Sequence, residues 1–318
     1  MMKICVLDAK TLGDDIDLTP IQAMGEVMIY DLTQPYEVAE RVKDAHVVVT
    51  NKVQLGKKQL KDAKELKLVA LFATGFNNID LEYMKDRGIG VVNVPGYSTK
   101  SVAQHTFALL FNLLEHLAFY DEYVKTKSYA NSNTFAYIAK PFYEIAGKTW
   151  GIIGMGAIGK EVARIAETFG VHIIYYSTSG NNGRAGYTCV DLDTLLKESD
   201  IISIHAPLNE KTQNLIGYKE MSKMKKSALL MNLGRGGIIE EVELARALKE
   251  NLIRGAALDV LKVEPIEQEH PLYDVDPSKW IVTPHIAWAS VEARGNLIGE
   301  VAANIEAFFK GEMRNRIV

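Results

Sequence analysis

The sequence is poor in cysteine: Cys5 and Cys189 are the only two among 318 residues. That excludes a disulfide scaffold, and two thiols so far apart point to a reducing, cytoplasmic setting. Neither charge is in excess, since 36 Lys and Arg face 40 Asp and Glu for a net charge of −4. With no basic surplus and no run of like charges, neither nucleic acid nor a membrane surface is an expected partner. Long hydrophobic runs are missing too. The most apolar stretch, Phe107 to Tyr120, is broken by Asn112, Glu115 and His116, too soon to span a bilayer. Residues 1–10 hold one lysine and a short apolar run ending at Asp8, which reads as a strand and not as a signal peptide. No His/Cys/carboxylate cluster has metal-ligand spacing, so no metal is expected. What is present is 47% hydrophobic and 24% charged residues, an ordinary globular profile long enough for two domains.

Short β-rich runs alternate with helical stretches from end to end. Strands are predicted at 3–8, 26–31, 46–50, 67–73 and 90–94, then at 149–153, 172–177, 201–206, 228–233, 255–260 and 281–283. Many are continuously apolar, as strands buried on both faces of a parallel sheet are. Two such series imply an α/β protein of two doubly wound parallel-sheet domains with a cleft between them. One long helix begins near Ser98-Thr99 and carries Val102, Phe107, Leu110, Leu113, Leu114 and Leu117. Another opens at Ser290 and carries Leu297, Ile298, Val301, Ile305 and Phe308 on one face. If the latter returns to the first domain, that domain is discontinuous, 1–100 with 288–318, and 101–287 form the second. The apolar Phe107-to-Tyr120 stretch is expected to face solvent and to make a homodimer contact.

Residues 149–159, Thr-Trp-Gly-Ile-Ile-Gly-Met-Gly-Ala-Ile-Gly, are a strand running into G-x-G-x-x-G, with a helical pattern following. Gly154 allows the tight turn, Gly156 lets backbone approach a pyrophosphate, and Gly159 lets helix and strand pack closely. Free N–H groups at the helix start favour the diphosphate. Together with the strand before and the helix after, this predicts a dinucleotide site. The next strand ends in Tyr175-Tyr176-Ser177-Thr178-Ser179, with no carboxylate to bind ribose hydroxyls and repel a 2′-phosphate. No arginine follows at once, and the nearest is Arg184. NAD is favoured for want of an adjacent cation, with NADP left open.

Three later strands each end in a chemically useful group. Arg235 lies among glycines in Asn232-Leu-Gly-Arg-Gly-Gly, Asp259 and Glu264 follow Ala256-Ala-Leu, and His285 follows Thr283-Pro. Carboxyl ends of strands line the ligand crevice of open α/β sheets, so these groups can converge. Arginine offers a planar fork for a carboxylate and histidine a proton near neutral pH, and a carboxylate behind the histidine orients it and favours its charged form. Singly, each has an ordinary explanation as a surface arginine, a loop start or a satisfied buried histidine. Their joint position downstream of a dinucleotide site favours catalysis. His46, His105, His116, His172 and His270 read as structural, while His205 ends a strand on the cofactor side and is expected to line the adenosine pocket.

Over nearly its whole length the chain resembles the D-isomer-specific 2-hydroxyacid dehydrogenases. The resemblance lies in Ala-Thr-Gly-Phe-Asn-Asn-Ile-Asp at 73–80, Asn-Val-Pro-Gly-Tyr-Ser at 93–98, the glycine turn, 232–237, Ala-Leu-Asp-Val at 257–260 and Thr-Pro-His-Ile-Ala-Trp at 283–288. It implies a flavodoxin-like substrate domain, a Rossmann dinucleotide-binding domain, and Arg235, Glu264 and His285 as the catalytic trio. It further implies cofactor contacts from Thr74, Ala157, Ile158, Ser177, Thr178, Ala206, Leu233, Gly234, Asp259 and Ala287, with Asp259 on the nicotinamide carboxamide. Gly75 and Phe76 would grip the substrate carboxylate, and Tyr97 and Trp288 would wall the pocket. The usual acidic residue after the second strand is Ser177 here, a departure that bears on NAD. Among members the motifs are most similar to glycerate dehydrogenases, or hydroxypyruvate reductases. The expected reaction is reversible hydride transfer between NAD(P)H and a small 2-keto acid, D-glycerate/hydroxypyruvate or glyoxylate. An NAD(H)-sensing binding protein of the same fold is the alternative, and a scaffold with an empty glycine turn a further one.

Overall fold

The computed structural model describes residues 1–180 and 186–318, so Arg184 lies outside the described residues. The chain divides into two compact units, one of Met1–Ser98 with Ala289–Val318 and one of Thr99–Trp288.

The first unit holds β1 (Lys3–Val6), β2 (Glu26–Ile29), β3 (Val47–Thr50), β4 (Leu68–Leu71) and β5 (Gly90–Val92). All pair in parallel, in the order β2-β1-β3-β4-β5. Cys5, Leu7, Val48, Val69 and Leu71 enter one apolar cluster with Val38, Val42, Leu60 and Met84 from the connecting segments. The terminal helix Val291–Phe309 packs on this unit. Ser290 caps it by accepting from the Ala293 N–H at 3.2 Å, and Asn304 donates to the Asn93 carbonyl at 2.9 Å. Gly90 is required by that packing, because a Cβ there would stand 2.3 Å from the Phe308 ring.

The second unit holds β6 (Thr149–Ile153), β7 (His172–Tyr176), β8 (Thr188–Cys189), β9 (Ile201–Ile204), β10 (Leu229–Asn232), β11 (Gly255–Leu258) and β12 (Trp280–Val282). They form a parallel sheet in the order β12-β11-β10-β9-β6-β7-β8. Successive residues feed opposite faces. Ile153, Ile202, Leu230 and Leu258 go to one cluster, and Trp150, Ile152, Ile201, Met231 and Ala257 to the other. Two buried faces are why these runs are apolar without alternation.

Every expected strand is present with ends within two residues of those predicted. The trimmed ends include His205 and Asp259, whose N–H groups still donate to the Ile153 and Asn232 carbonyls of the neighbouring strands at 2.8 and 3.0 Å. β8, two residues long, was not expected and carries too little pattern to be read. The Phe107-to-Tyr120 expectation needs correction. Helix Thr99–Glu115 buries Phe107, Leu109, Leu110, Leu113 and Leu114 in the unit's own core, with the Phe107 and Trp150 ring centroids 5.2 Å apart. The helix stops at His116, whose φ is +53°, and Leu117–Lys125 form a new one.

Candidate active site

Chain order in the second sheet reverses between β6 and β9, the place where such sheets bind ligands. The glycine turn follows β6 there, and each glycine has a separate reason. Gly154 sits at φ +94°, and a Cβ on it would lie 2.8 Å from the Ala206 amide. At Gly159 a Cβ would lie 2.4 Å from the Gly154 carbonyl. A Cβ on Gly156 would enter open space, meeting nothing within 4 Å among the described residues beyond its chain neighbours. Gly156 precedes the helix Ala157–Glu167, so the first-turn amides around Ala157 and Ile158 open toward that space. A cavity of about 330 Å³ adjoins it, lined by Gly154, Gly156, Lys160, Ser177, Thr178, Ser179 and His205 among others. Open backbone, a helix start, hydroxyls and the Lys160 ammonium, with no carboxylate lining the cavity among the described residues, fit a dinucleotide diphosphate and ribose. Lys160 was missed as a pocket cation because it is distant in sequence from Ser177.

His205 lies in the cavity wall, 9% exposed. Its Nε2 is 3.0 Å from Ser203 Oγ, which accepts from Trp150 Nε1 at 2.9 Å. Burial pushes its pKa down to about 3, so the ring is neutral and adds no charge to the pocket. Ala206, Leu233 and Gly234 pack beneath, a Cβ on Gly234 meeting the Ala206 carbonyl at 2.6 Å.

β10, β11 and β12 are neighbours, so the loops at their carboxyl ends stand side by side. Arg235 follows β10. Asn232 shapes its turn, accepting from the Gly234 N–H at 3.0 Å and donating to the Arg235 carbonyl at 2.9 Å. The Arg235 guanidinium donates to the Gly234 carbonyl at 2.8 Å. Gly236 lies so close to the next loop that a Cβ would stand 1.9 Å from the Leu261 carbonyl, which sets the arginine turn against the segment carrying Glu264. That segment is pinned in turn by Glu241, which accepts from the Lys262 N–H at 2.6 Å and lies 3.0 Å from His270 Nε2.

Glu264 Oε1 accepts from the Leu261 N–H at 3.0 Å, and Oε2 is 2.8 Å from His285 Nδ1. An ionised carboxylate only accepts, so Nδ1–H is the donor and Nε2 is left to exchange a proton. His285 has φ +55°, a left-handed conformation costing about 1 kcal/mol or more for a side-chain-bearing residue. Its N–H donates to the Asp259 and Thr283 carbonyls, both at 2.9 Å, and its carbonyl accepts from Trp288 Nε1 at 2.8 Å. Asp259, 2% exposed, accepts from the Ile286 and Ala287 N–H groups at 2.9 Å and from Thr283 Oγ1 at 2.7 Å. Glu264 and His285 are therefore in direct contact, with Arg235 on the loop beside them. Thr283, Asn232 and Glu241 were not singled out from the sequence.

The other expected residues belong to the first unit. Thr74, Gly75 and Phe76 follow β4 and Tyr97 follows β5, again at carboxyl ends. Thr74 Oγ1 donates to the Val94 carbonyl at 2.7 Å, and Phe76 is 38% exposed. Among the described residues no group of His, Cys, Asp and Glu could hold a metal ion.

A family model described as "D-isomer specific 2-hydroxyacid dehydrogenase, NAD binding domain" matches residues 107–287. The chain is 38% identical to a glycerate dehydrogenase of Methylorubrum extorquens over 98% of both chains. It is 35% identical to a hydroxypyruvate reductase of Blautia hydrogenotrophica over 99% of both. Among solved structures, an NADPH-dependent glyoxylate/hydroxypyruvate reductase of Sinorhizobium meliloti in complex with NADP and malonate superposes with a TM-score of 0.85. That pair is 26% identical, covering 100% of this chain and 97% of the other.

Proposed function

Because the chain belongs to the D-isomer specific 2-hydroxyacid dehydrogenases, we propose that it reversibly reduces a small 2-keto acid, hydroxypyruvate or glyoxylate, with NAD(P)H. The observation that carries the reading is the 2.8 Å contact of His285 with Glu264 at the carboxyl edge of a sheet that also bears the glycine turn. Arg235 binds the substrate carboxylate and polarises the adjacent carbonyl. His285, protonated, gives its Nε2 proton to the carbonyl oxygen, and Glu264 steadies the imidazolium and its orientation. Bound NAD(P)H supplies the hydride that adds to C2. Oxidation of the D-2-hydroxy acid runs the same steps backwards.

Gly154, Gly156, Ala157, Ile158 and Gly159 hold the diphosphate, and Ser177 and Thr178 the adenosine ribose. Thr74, Ala206, Leu233, Gly234 and Ala287 contact the rest of the coenzyme, with Asp259 toward the carboxamide. Gly75 and Phe76 grip the substrate carboxylate, and Tyr97 and the ring face of Trp288 bound it. Lys160 with the Ser177–Ser179 hydroxyls gives a 2′-phosphate a cation and donors, so NADPH serves at least as well as NADH. The relatives' names, glycerate dehydrogenase and hydroxypyruvate reductase, support the substrate class. The protein works in the cytoplasm, in keeping with Cys5 and Cys189 not joined by a disulfide, and as a homodimer.

Hydroxypyruvate, glyoxylate, pyruvate and a bulky aromatic 2-keto acid, each run with NADH and NADPH, test this. Hydroxypyruvate or glyoxylate should oxidise NADPH, and His285→Ala should lose about 10²-fold or more in kcat while binding coenzyme as the parent does. Coenzyme bound with no turnover of any acid would return the protein to the sensing class. Near-normal turnover by His285→Ala would remove the proton-donor role.

A further inference from the structure

His105 stands in the helix Thr99–Glu115, far from the catalytic residues in sequence, and its Nε2 lies 3.1 Å from Thr283 Oγ1. Thr283 Oγ1 is 2.7 Å from Asp259 Oδ1. A hydroxyl has one hydrogen, and a carboxylate at that distance takes it. Thr283 must therefore accept from His105, which fixes the His105 proton on Nε2. His105 Nε2 is also 3.8 Å from the same Asp259 oxygen, and its side chain is 21% exposed against 2% for Asp259. Asp259 meanwhile holds the Ile286 and Ala287 N–H groups, one on each oxygen. Between Thr283 and those amides lies His285, in the left-handed region. Such a conformation persists where its surroundings over-determine it. From the same helix, Ser101 Oγ donates to the Ala287 carbonyl at 2.6 Å, so the helix grips this loop at two points.

We infer that His105 is a positioning residue for the reaction: through its Nε2–H it sets the Thr283 hydroxyl on Asp259, and this clamp holds the 283–287 loop so that His285 faces Glu264. The inference rests on the reading of His285 as proton donor, but the clamp itself has a readout that needs no substrate. A leucine at 105 keeps bulk and removes the donor, whereas glutamine places an N–H₂ near the position of Nε2.

The experiment compares His105→Leu, His105→Gln and Thr283→Val with the parent, each as the full chain. It measures amide hydrogen exchange of the peptide spanning 283–288 alongside steady-state kinetics with hydroxypyruvate and NADPH. His105→Leu should exchange about tenfold faster in that peptide and lose about ten- to hundredfold in kcat, the loss usual when a supporting hydrogen bond to a working group is removed. His105→Gln should restore both. His105→Leu combined with Thr283→Val should be no worse than the poorer single variant, because the two remove one clamp. Unchanged exchange in His105→Leu overturns the clamp. A glutamine variant as impaired as the leucine variant overturns the role of the donor, and faster exchange with parental kcat overturns the positioning role. A parent that turns over no 2-keto acid sinks the proposed function alone, and exchange then still decides the clamp.

Discussion

His285 was legible in the sequence because it ends an apolar strand, and so were Arg235 and Glu264. Each is a titratable or charged group placed where strand chemistry would not put one. The residues that hold them were not legible. Thr283 in Thr-Pro-His reads as no more than the end of a strand until His105, 178 positions away, is seen against it. Asn232, expected only as part of a strand end, proves to shape the arginine turn with both ends of its amide. Their roles exist only as contacts, which one-dimensional spacing does not encode. His205 was expected in the pocket wall, and its burial gives it a measurable signature. Its pKa is about 3 in the folded chain against an ordinary 6.5. The unfolded chain therefore takes up the proton first, so the contribution is constant above about pH 6.5 and destabilising as pH falls from there toward 3. The slope is about 1.4 kcal/mol per pH unit. Trp150, Trp280 and Trp288 are the only tryptophans and all lie in the second unit, so their fluorescence follows that unit in urea. Between pH 7 and pH 5 the parent should lose about 2 kcal/mol more than His205→Asn. Equal losses would show that His205 is not held neutral.

At the scale of elements, strands buried on both faces announced themselves by unbroken apolar runs, whereas their order within each sheet was read only from the structure. Helix Thr99–Glu115 was found, but its apolar face was given to solvent. A run of leucines reports burial without saying against what, and the partner proved to be the unit's own sheet beside Trp150. The glycine turn was read with each glycine in its own role, and the surroundings now separate those roles. Gly156→Ala puts a methyl into open space at φ −80°, an ordinary backbone angle, so the fold should tolerate it. The same methyl occupies the space the diphosphate needs. Gly159→Ala instead drives a methyl to 2.4 Å from the Gly154 carbonyl, inside the fold. Gly156→Ala should raise the Kd for NADPH about tenfold or more, some 1.4 kcal/mol, with the urea midpoint unmoved. Gly159→Ala should lower stability by about 1–3 kcal/mol, as overpacking does. Isothermal titration and urea denaturation of the two variants check the contrast, and a Gly156→Ala chain that binds NADPH like the parent would detach this turn from the coenzyme.

At the scale of the molecule, the apolar surface that the sequence placed on one helix appears further along, between Leu117 and Tyr143. Leu117, Val124, Phe142 and Tyr143 are more than half exposed, Ile138 is 83% exposed and Phe135 is 93% exposed. The segment is nonetheless ordered by its own contacts. The Tyr123 and Tyr137 rings stack with centroids 4.1 Å apart, the Tyr120 hydroxyl donates to the Lys140 carbonyl at 2.7 Å, and the Tyr129 hydroxyl to the Phe135 carbonyl at 2.6 Å. An ordered arm that presents this many large apolar side chains to water is what a protein–protein contact leaves behind when one partner is viewed alone. A second copy of the chain is the occupant proposed, because two-fold homodimers are the commonest assemblies and a two-fold contact lets the same arm serve both copies. Light scattering at micromolar concentration should give twice 35.3 kDa for the parent. Phe135 and Ile138 belong to neither cluster of the unit's core and are 93% and 83% exposed, so Phe135→Glu combined with Ile138→Glu should leave the urea transition in place while shifting the mass toward the single chain. A parent that runs as a single chain at those concentrations, or a double variant that stays paired, would mean that this arm is not where two copies meet.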